Sequence, residues 1–230
     1  MRFIYSISAG ITPFRVKIRG SAADCRFSPP LPVRGGDGGW QAGKVVGGKV
    51  TFQLQKTVVL VGMMGAGKTA VGGALARRLG AEFLDSDTEI ERAANMSVTD
   101  IFERDGEAFF RARESEILLR LLTGRPCILS TGGGAFLAEA NRQAIAAHGV
   151  AVWLRADLET LWSRVRHKTT RPLLRTADPK ATLREIYDRR TPVYALAGLA
   201  VDSAAQGSVD EMADKVITAL KARPDVLDAR

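Results

Sequence analysis

Two cysteines in 230 residues leave little scope for cross-linking. Cys25 and Cys127 lie far apart, and with His148 and His167, the only histidines, they give no paired ligand spacing. That argues against a disulfide scaffold and against a structural zinc site. A reduced, soluble, cytoplasmic protein is expected. Long apolar runs are missing as well. The longest, around Val58–Met64 and Val150–Leu154, are strand-sized and fall short of the ~18–20 residues of a spanning helix. No membrane partner is expected. Aromatic residues are scarce at 7%, yet 46% of the chain is hydrophobic, enough for one domain with a sizeable core.

Charge is in excess, at +8, but unevenly placed. Residues 1–56 carry nine Lys or Arg against Asp24 and Asp37, whereas the remaining 174 hold 24 basic and 23 acidic side chains. The body is electrically balanced, which argues against a nucleic-acid partner. The first fifty residues also hold nine of the 23 glycines and four of the nine prolines. Such a stretch buries too little apolar surface to offset its ordering entropy. Residues 1–55 are therefore expected to be a disordered basic extension, authentic or an upstream start. Its first residues faintly resemble a signal sequence interrupted by Ser8, Gly10 and Pro13, and its arginines a transit peptide.

From Lys56 the pattern alternates. Strands are expected at Thr57–Val61, Glu82–Leu84, Pro126–Ser130, Val150–Leu154 and near Leu199–Val201. Helices are expected after the first strand to Leu79, over Thr88–Leu122 with a break at Gly106, and over Ala138–Ala147, Leu158–Val165, a stretch to Tyr194, and Val209–Leu220. Strands alternating with helices predict a parallel sheet covered on both faces. A domain over 56–222 and a short tail over 223–230 follow.

Gly62-Met63-Met64-Gly65-Ala66-Gly67-Lys68-Thr69 matches the Walker A pattern, with a strand before it and a helix after it. Its amides and the helix N-terminus suit phosphate, Lys68 suits the β/γ-phosphates, and Thr69 suits Mg²⁺. This site binds a nucleoside triphosphate. Asp85-Ser86-Asp87 follows the second strand. In extended backbone both carboxylates face one side, one for the water around Mg²⁺ and one as a base, although Asp87 is equally suited to cap the next helix. Arg111, with Glu114 three residues on, suits bidentate capture of a carboxylate or a surface ion pair. Gly132-Gly133-Gly134 permits close backbone approach, or a plain turn. Arg171-Pro172-Leu173-Leu174 lies in an aperiodic basic segment from Arg166 to Pro179 suited to a lid. Arg190 precedes Pro192 and suits a ligand contact or a helix cap.

In this order and spacing the motifs closely resemble the shikimate kinase family, over about residues 56–221. The resemblance implies a three-layer α/β/α P-loop kinase fold of order 2-3-1-4-5. It implies transfer of phosphate from ATP to the 3-hydroxyl of shikimate, a step of aromatic amino-acid biosynthesis, by a monomer using Mg²⁺. It further implies that Asp87 activates the hydroxyl and that Arg111, Arg190 and Gly133 hold the substrate. Lys68 and Arg171 act on the phosphates, and Gly65, Ala66, Gly67, Lys68, Thr69 and Ala70 bind ATP. Thr69 and, through water, Asp85 hold the metal, while Phe102 and Phe110 wall the ring. Gln206 stands where many relatives carry an arginine beside adenine, and Ser130 stands near the place of a Walker B acid. The alternatives are another small-molecule kinase, such as a gluconate kinase, or a silent nucleotide-binding module.

Overall fold

The computed structural model describes residues 52–167, 172–203 and 207–229. Residues 1–51, Arg171 and Gln206 lie outside them. Fourteen helices and strands follow in chain order among the described residues: β1 (Phe52–Leu54), β2 (Thr57–Val61), α1 (Lys68–Leu79), β3 (Phe83–Asp85), α2 (Ser86–Ala94), α3 (Val98–Leu122), β4 (Ile128–Ser130), α4 (Glu139–His148), β5 (Gly149–Arg155), α5 (Leu158–Val165), α6 (Pro179–Tyr194), β6 (Leu199–Asp202), α7 (Val209–Lys221) and β7 (Leu227–Ala229). Short 3-10 turns occupy Ala135–Leu137 and Pro172–Leu174. No helix among the described residues is long and apolar enough to cross a membrane.

Five strands form a parallel sheet of order β3-β4-β2-β5-β6, which is the expected 2-3-1-4-5 when counted within the sheet. β2 is central and wholly buried because both of its edges and both of its faces are covered, which suits the apolar run Val58–Val61, while the Thr57 hydroxyl accepts from the Cys127 amide. Val59 pairs with Leu129 on one side and Ala151 on the other. The chain leaves β2 toward β3 but leaves β4 toward β5 in the opposite direction. Right-handed crossovers then put the connecting helices on opposite faces. α1 packs on α7, and α3 packs on α4. The strand order reverses beside β2, and ligands bind beyond the carboxyl ends of the strands at such a point.

The helical stretch expected over Thr88–Leu122 is corrected. Asn95 ends α2 in the left-handed region at φ 51, and Ser97 caps α3 by accepting from the Asp100 amide. Gly106 kinks α3 as anticipated, at φ 82 and ψ 171. Asn tolerates the left-handed region, and that signal was masked by continuous apolar spacing around it.

Two strands fall outside the 56–222 span. β1 pairs antiparallel with β7, Phe52 opposite Ala229 and Leu54 opposite Leu227. Phe52 and Leu54 pack on the main core while Gln53 faces out, a period-2 pattern too short to read. The Gln55 amide bonds Val226, and Lys56 pairs with Asp225 at 3.0 Å. Half-burying a Phe and a Leu contributes about 2 kcal/mol. A chain starting at Lys56 should therefore melt roughly 4–8 °C below one starting at Phe52. Equal midpoints by circular dichroism would show that the ribbon adds nothing.

Candidate active site

The P-loop follows β2 directly. Gly65 and Gly67 have φ of +83 and +92, a region that side chains rarely adopt. Gly67 opens α1, so the helix begins at Lys68 with its amide ends on the loop. Lys68 Nζ folds back to donate to the carbonyls of Gly62 at 2.9 Å and Met63 at 3.1 Å. Thr69 Oγ1 donates to Asp85 Oδ2 at 3.1 Å and lies 3.5 Å from Ser130 Oγ.

Asp85 caps α2, with its Oδ1 accepting from the Asp87 amide at 3.1 Å. This corrects both readings of the acidic pair. The helix starts at Ser86, so Asp87 lies in its first turn and is not the cap. The two carboxylates also do not reach one site by extended-strand alternation, since only Asp85 is extended. They nevertheless line one cleft, because the first helical turn brings Asp87 back beside β4.

That cleft, of about 530 Å³, is lined by Met64 through Val71, Asp85, Asp87, Ser130–Gly133, Arg164, Ser203 and the start of α7. It spans the carboxyl ends of the sheet, from β3 and β4 on one side of the P-loop to β6 on the other. Gly65, Ala66, Gly67, Lys68, Thr69 and Ala70 all face it.

Asp87 Oδ1 is buried without a hydrogen-bond partner among the described residues, and so is Glu114 Oε1. Both oxygens converge on Gly132, where an added β-carbon would lie 2.7 Å from the first and 3.1 Å from the second. Burial, reinforced by the like charge of Asp85, raises the Asp87 carboxyl above its ordinary value against the opposing pull of Lys68. Burial also raises Glu114, against Arg111.

Arg111 is locked from several sides. Its Nη1 donates to Glu114 Oε2 at 2.7 Å, its Nε and Nη2 reach Glu107 at 3.3 Å, and the rings of Phe102 and Phe110 lie 5.9 and 5.2 Å away. Phe110 is buried in a small cluster with Ile90 and Ile101, and Phe102 packs on it. Arg113, by contrast, pairs with Glu116 on the surface. Arg190 is 9% exposed and donates to the Gly133 carbonyl at 3.2 Å, not to the end of its own helix, and its Nε has no partner among the described residues.

The triglycine turn brings the arginines together. An added β-carbon would lie 3.4 Å from Arg190 Nη1 at Gly133 and 2.6 Å from Arg111 Cζ at Gly134. Adjacent α-carbons thus touch both guanidinium groups, one from α3 and one from α6. A β-carbon would collide with Asp87 at Gly132 and with Arg111 at Gly134, whereas at Gly133 it would only touch Arg190.

Arg164 of α5 belongs to no sequence motif, yet it lines the cleft. Its Nη1 reaches the Gly65 carbonyl at 3.4 Å and Ser203 Oγ at 3.1 Å. Its helix presses Leu161 and Val165 on Gly65, so it follows the P-loop rather than solvent. A basic residue beside an apolar pair on the helix after β5 is the only trace of this in the sequence.

Among the described residues no group of three or more His, Cys, Asp or Glu can hold a metal ion. Thr69, Asp85 and Ser130 instead bring hard oxygens to one point beside the phosphate loop. That donor set suits Mg²⁺, which keeps waters and takes the rest of its shell from phosphates.

A triphosphate-binding loop, a nearby carboxylate whose Oδ1 has no partner among the described residues, and two arginines at the triglycine turn define a P-loop phosphotransferase acting on an anionic acceptor. Comparisons agree with that class and narrow it. The family model for shikimate kinase matches residues 64–221. A shikimate kinase of Ruegeria pomeroyi is 69% identical over 175 residues, covering 76% of this chain and 90% of its own. One of Cereibacter sphaeroides is 63% identical over 182 residues, covering 79% and 91%. The structure of shikimate kinase from Acinetobacter baumannii in complex with shikimate is 38% identical with a TM-score of 0.69, covering 73% of this chain and 93% of its own. The chain belongs to the shikimate kinase family.

Proposed function

We propose that this cleft transfers the γ-phosphoryl group of ATP to the 3-hydroxyl of shikimate, with Asp87 as the base. The observation that carries this reading is the meeting of Arg111 and Arg190 at Gly133–Gly134, a bidentate carboxylate grip beside the unpartnered Oδ1 of Asp87. The P-loop amides and Lys68 hold the phosphates, with Arg164 at the β6 end of the cleft. Arg111, Arg190 and the Gly133 backbone hold shikimate so that its 3-hydroxyl lies between Asp87 and the γ-phosphorus. Asp87 Oδ1 accepts the hydroxyl proton as the oxygen attacks in line. Positioning and charge neutralisation supply most of the rate in such transfers. Mg²⁺, held by Thr69 and through water by Asp85, supplies neutralisation of the phosphate charge when bound. Arg171 belongs to the same reading through its motif. A monomer working in the cytoplasm, with no nucleic-acid partner, accompanies the reading and fits the balanced charge of the body.

A coupled ADP-release assay over shikimate, gluconate and nucleoside monophosphates tests the assignment. ADP should appear only with shikimate. Preference for gluconate would favour the alternative kinase, and silence with every acceptor would favour a binding module.

A smaller test concerns the turn. Gly132→Ala places a β-carbon against Asp87 Oδ1 and Glu114 Oε1. Turnover of shikimate should fall by more than about tenfold, the cost of shifting a general base out of reach. ATP affinity, measured by titration, should hold. Unchanged turnover would show that the site relaxes around the methyl group.

A further inference from the structure

The last turn of α6 contains a side chain that the transfer does not use. Tyr194 is 1% exposed, and its hydroxyl donates to the Gly133 carbonyl. Its ring stacks on Trp153, with centroids 6.3 Å apart and planes at 29°. Trp153 in turn closes over the first glycine of the P-loop, where an added β-carbon at Gly62 would lie 3.3 Å from indole Cδ1. Arg190 and Tyr194 are four residues apart, so they project from one face of α6. They place two donors on a single carbonyl oxygen.

Glycine has no side chain to fix its peptide planes and is the most freely rotating residue. In a triglycine segment, orientation must come from hydrogen bonds to neighbours. The peptide is planar, so holding the Gly133 carbonyl also sets the direction of the Gly134 amide and the α-carbon that touches Arg111. Arg190 divides its donors between this carbonyl and the substrate. Donors that it turns to a substrate carboxylate are lost to the carbonyl, whereas the buried phenol has no second task. Burial also raises the phenol above its ordinary value, so it remains a donor at neutral pH.

We infer that Tyr194 is a positioning residue for shikimate, its hydroxyl fixing the Gly133 peptide between the two arginines while its ring ties that peptide through Trp153 to the P-loop. The inference deepens the reading of the cleft proposed above and rests on it.

Tyr194→Phe keeps the ring and the stack and removes only the donor. Loss of a neutral hydrogen bond corresponds to roughly a two- to tenfold change. The KM for shikimate should rise by that factor, with kcat and the KM for ATP held within about twofold, the pattern of lost ground-state binding. A carboxamide analogue of shikimate should show a smaller rise, because the Arg190 contact is already impaired. A merely structural role would instead move the KM for ATP together with that for shikimate, or lower kcat alone, and either result overturns the proposal. So does an unchanged KM for shikimate. Should Tyr194→Phe fail to fold, Trp153→Phe decides. It keeps the hydroxyl and loosens a stack that also touches the P-loop, so the KM for shikimate should rise by a larger factor than the KM for ATP. A rise no larger than that for ATP overturns the role. A wild-type protein inactive on shikimate overturns both the cleft assignment and this role. An active one with an unaltered Tyr194→Phe variant overturns this role alone.

Discussion

Asp87→Asn should lower turnover of shikimate by about 10²–10⁴-fold, the usual worth of a positioned general base, and leave ATP affinity intact. The substitution keeps the size of the side chain and removes the charge that accepts the proton. Nucleotide contacts lie on the P-loop and not on Asp87. The same variant should be more stable than the wild type at neutral pH. Burial and Asp85 raise the folded-state pKa of this carboxyl, so the unfolded chain gives up the proton first as pH rises. Ionisation through that interval favours the unfolded chain, and the fold carries the penalty at all higher pH. Asn removes it. The stability gain should be present at pH 7, shrink as pH falls through the raised folded-state value, and vanish below the ordinary value of 3.8. Parallel melting curves at pH 7 and pH 4 check the sign. A variant that is both active and no more stable would reduce Asp87 to an ordinary residue of the α2 first turn.

The arginine pair is the second large effect. Arg111→Lys and Arg190→Lys should each lower kcat/KM for shikimate by roughly 10–150-fold, since a hydrogen bond to a charged group is worth ~1.5–3 kcal/mol at ~1.4 kcal/mol per decade. An ammonium cannot reproduce the planar fork. The carboxamide analogue should lose a similar factor on the wild type and much less on either variant, because the interaction is already broken there. Additive losses across that cycle would mean that neither arginine touches the carboxylate.

Much of this geometry is legible in the sequence, for identifiable reasons. β2 is read correctly because a central strand buried on both faces needs a continuous apolar run, here Val58–Val61 after Thr57. The P-loop is legible because phosphate binding dictates glycine and lysine at fixed spacing. The ion pair of Arg111 with Glu114 follows from helix periodicity alone. Other features depend on what the chain meets in space. Asp85, not Asp87, caps α2, and two carboxylates two residues apart do not reveal which one ends the strand. Arg164 looks like any polar position of an amphipathic helix until α5 packs on Gly65. The bond of Arg190 to Gly133 spans 57 residues, and no local pattern encodes it. β1 and β7 lie at opposite ends of the domain, so each reads as a three-residue fragment until paired.

The central claim is that one cleft joins the γ-phosphoryl of ATP to one hydroxyl of a carboxylate-bearing acceptor. Proton-detected phosphorus NMR of the reaction with Mg²⁺, ATP and shikimate tests it directly. The account predicts ADP in equal amount to a single phosphate ester, with the phosphorus coupled to the proton on C3. Inorganic phosphate in place of the ester, or an ester on another hydroxyl, would contradict it.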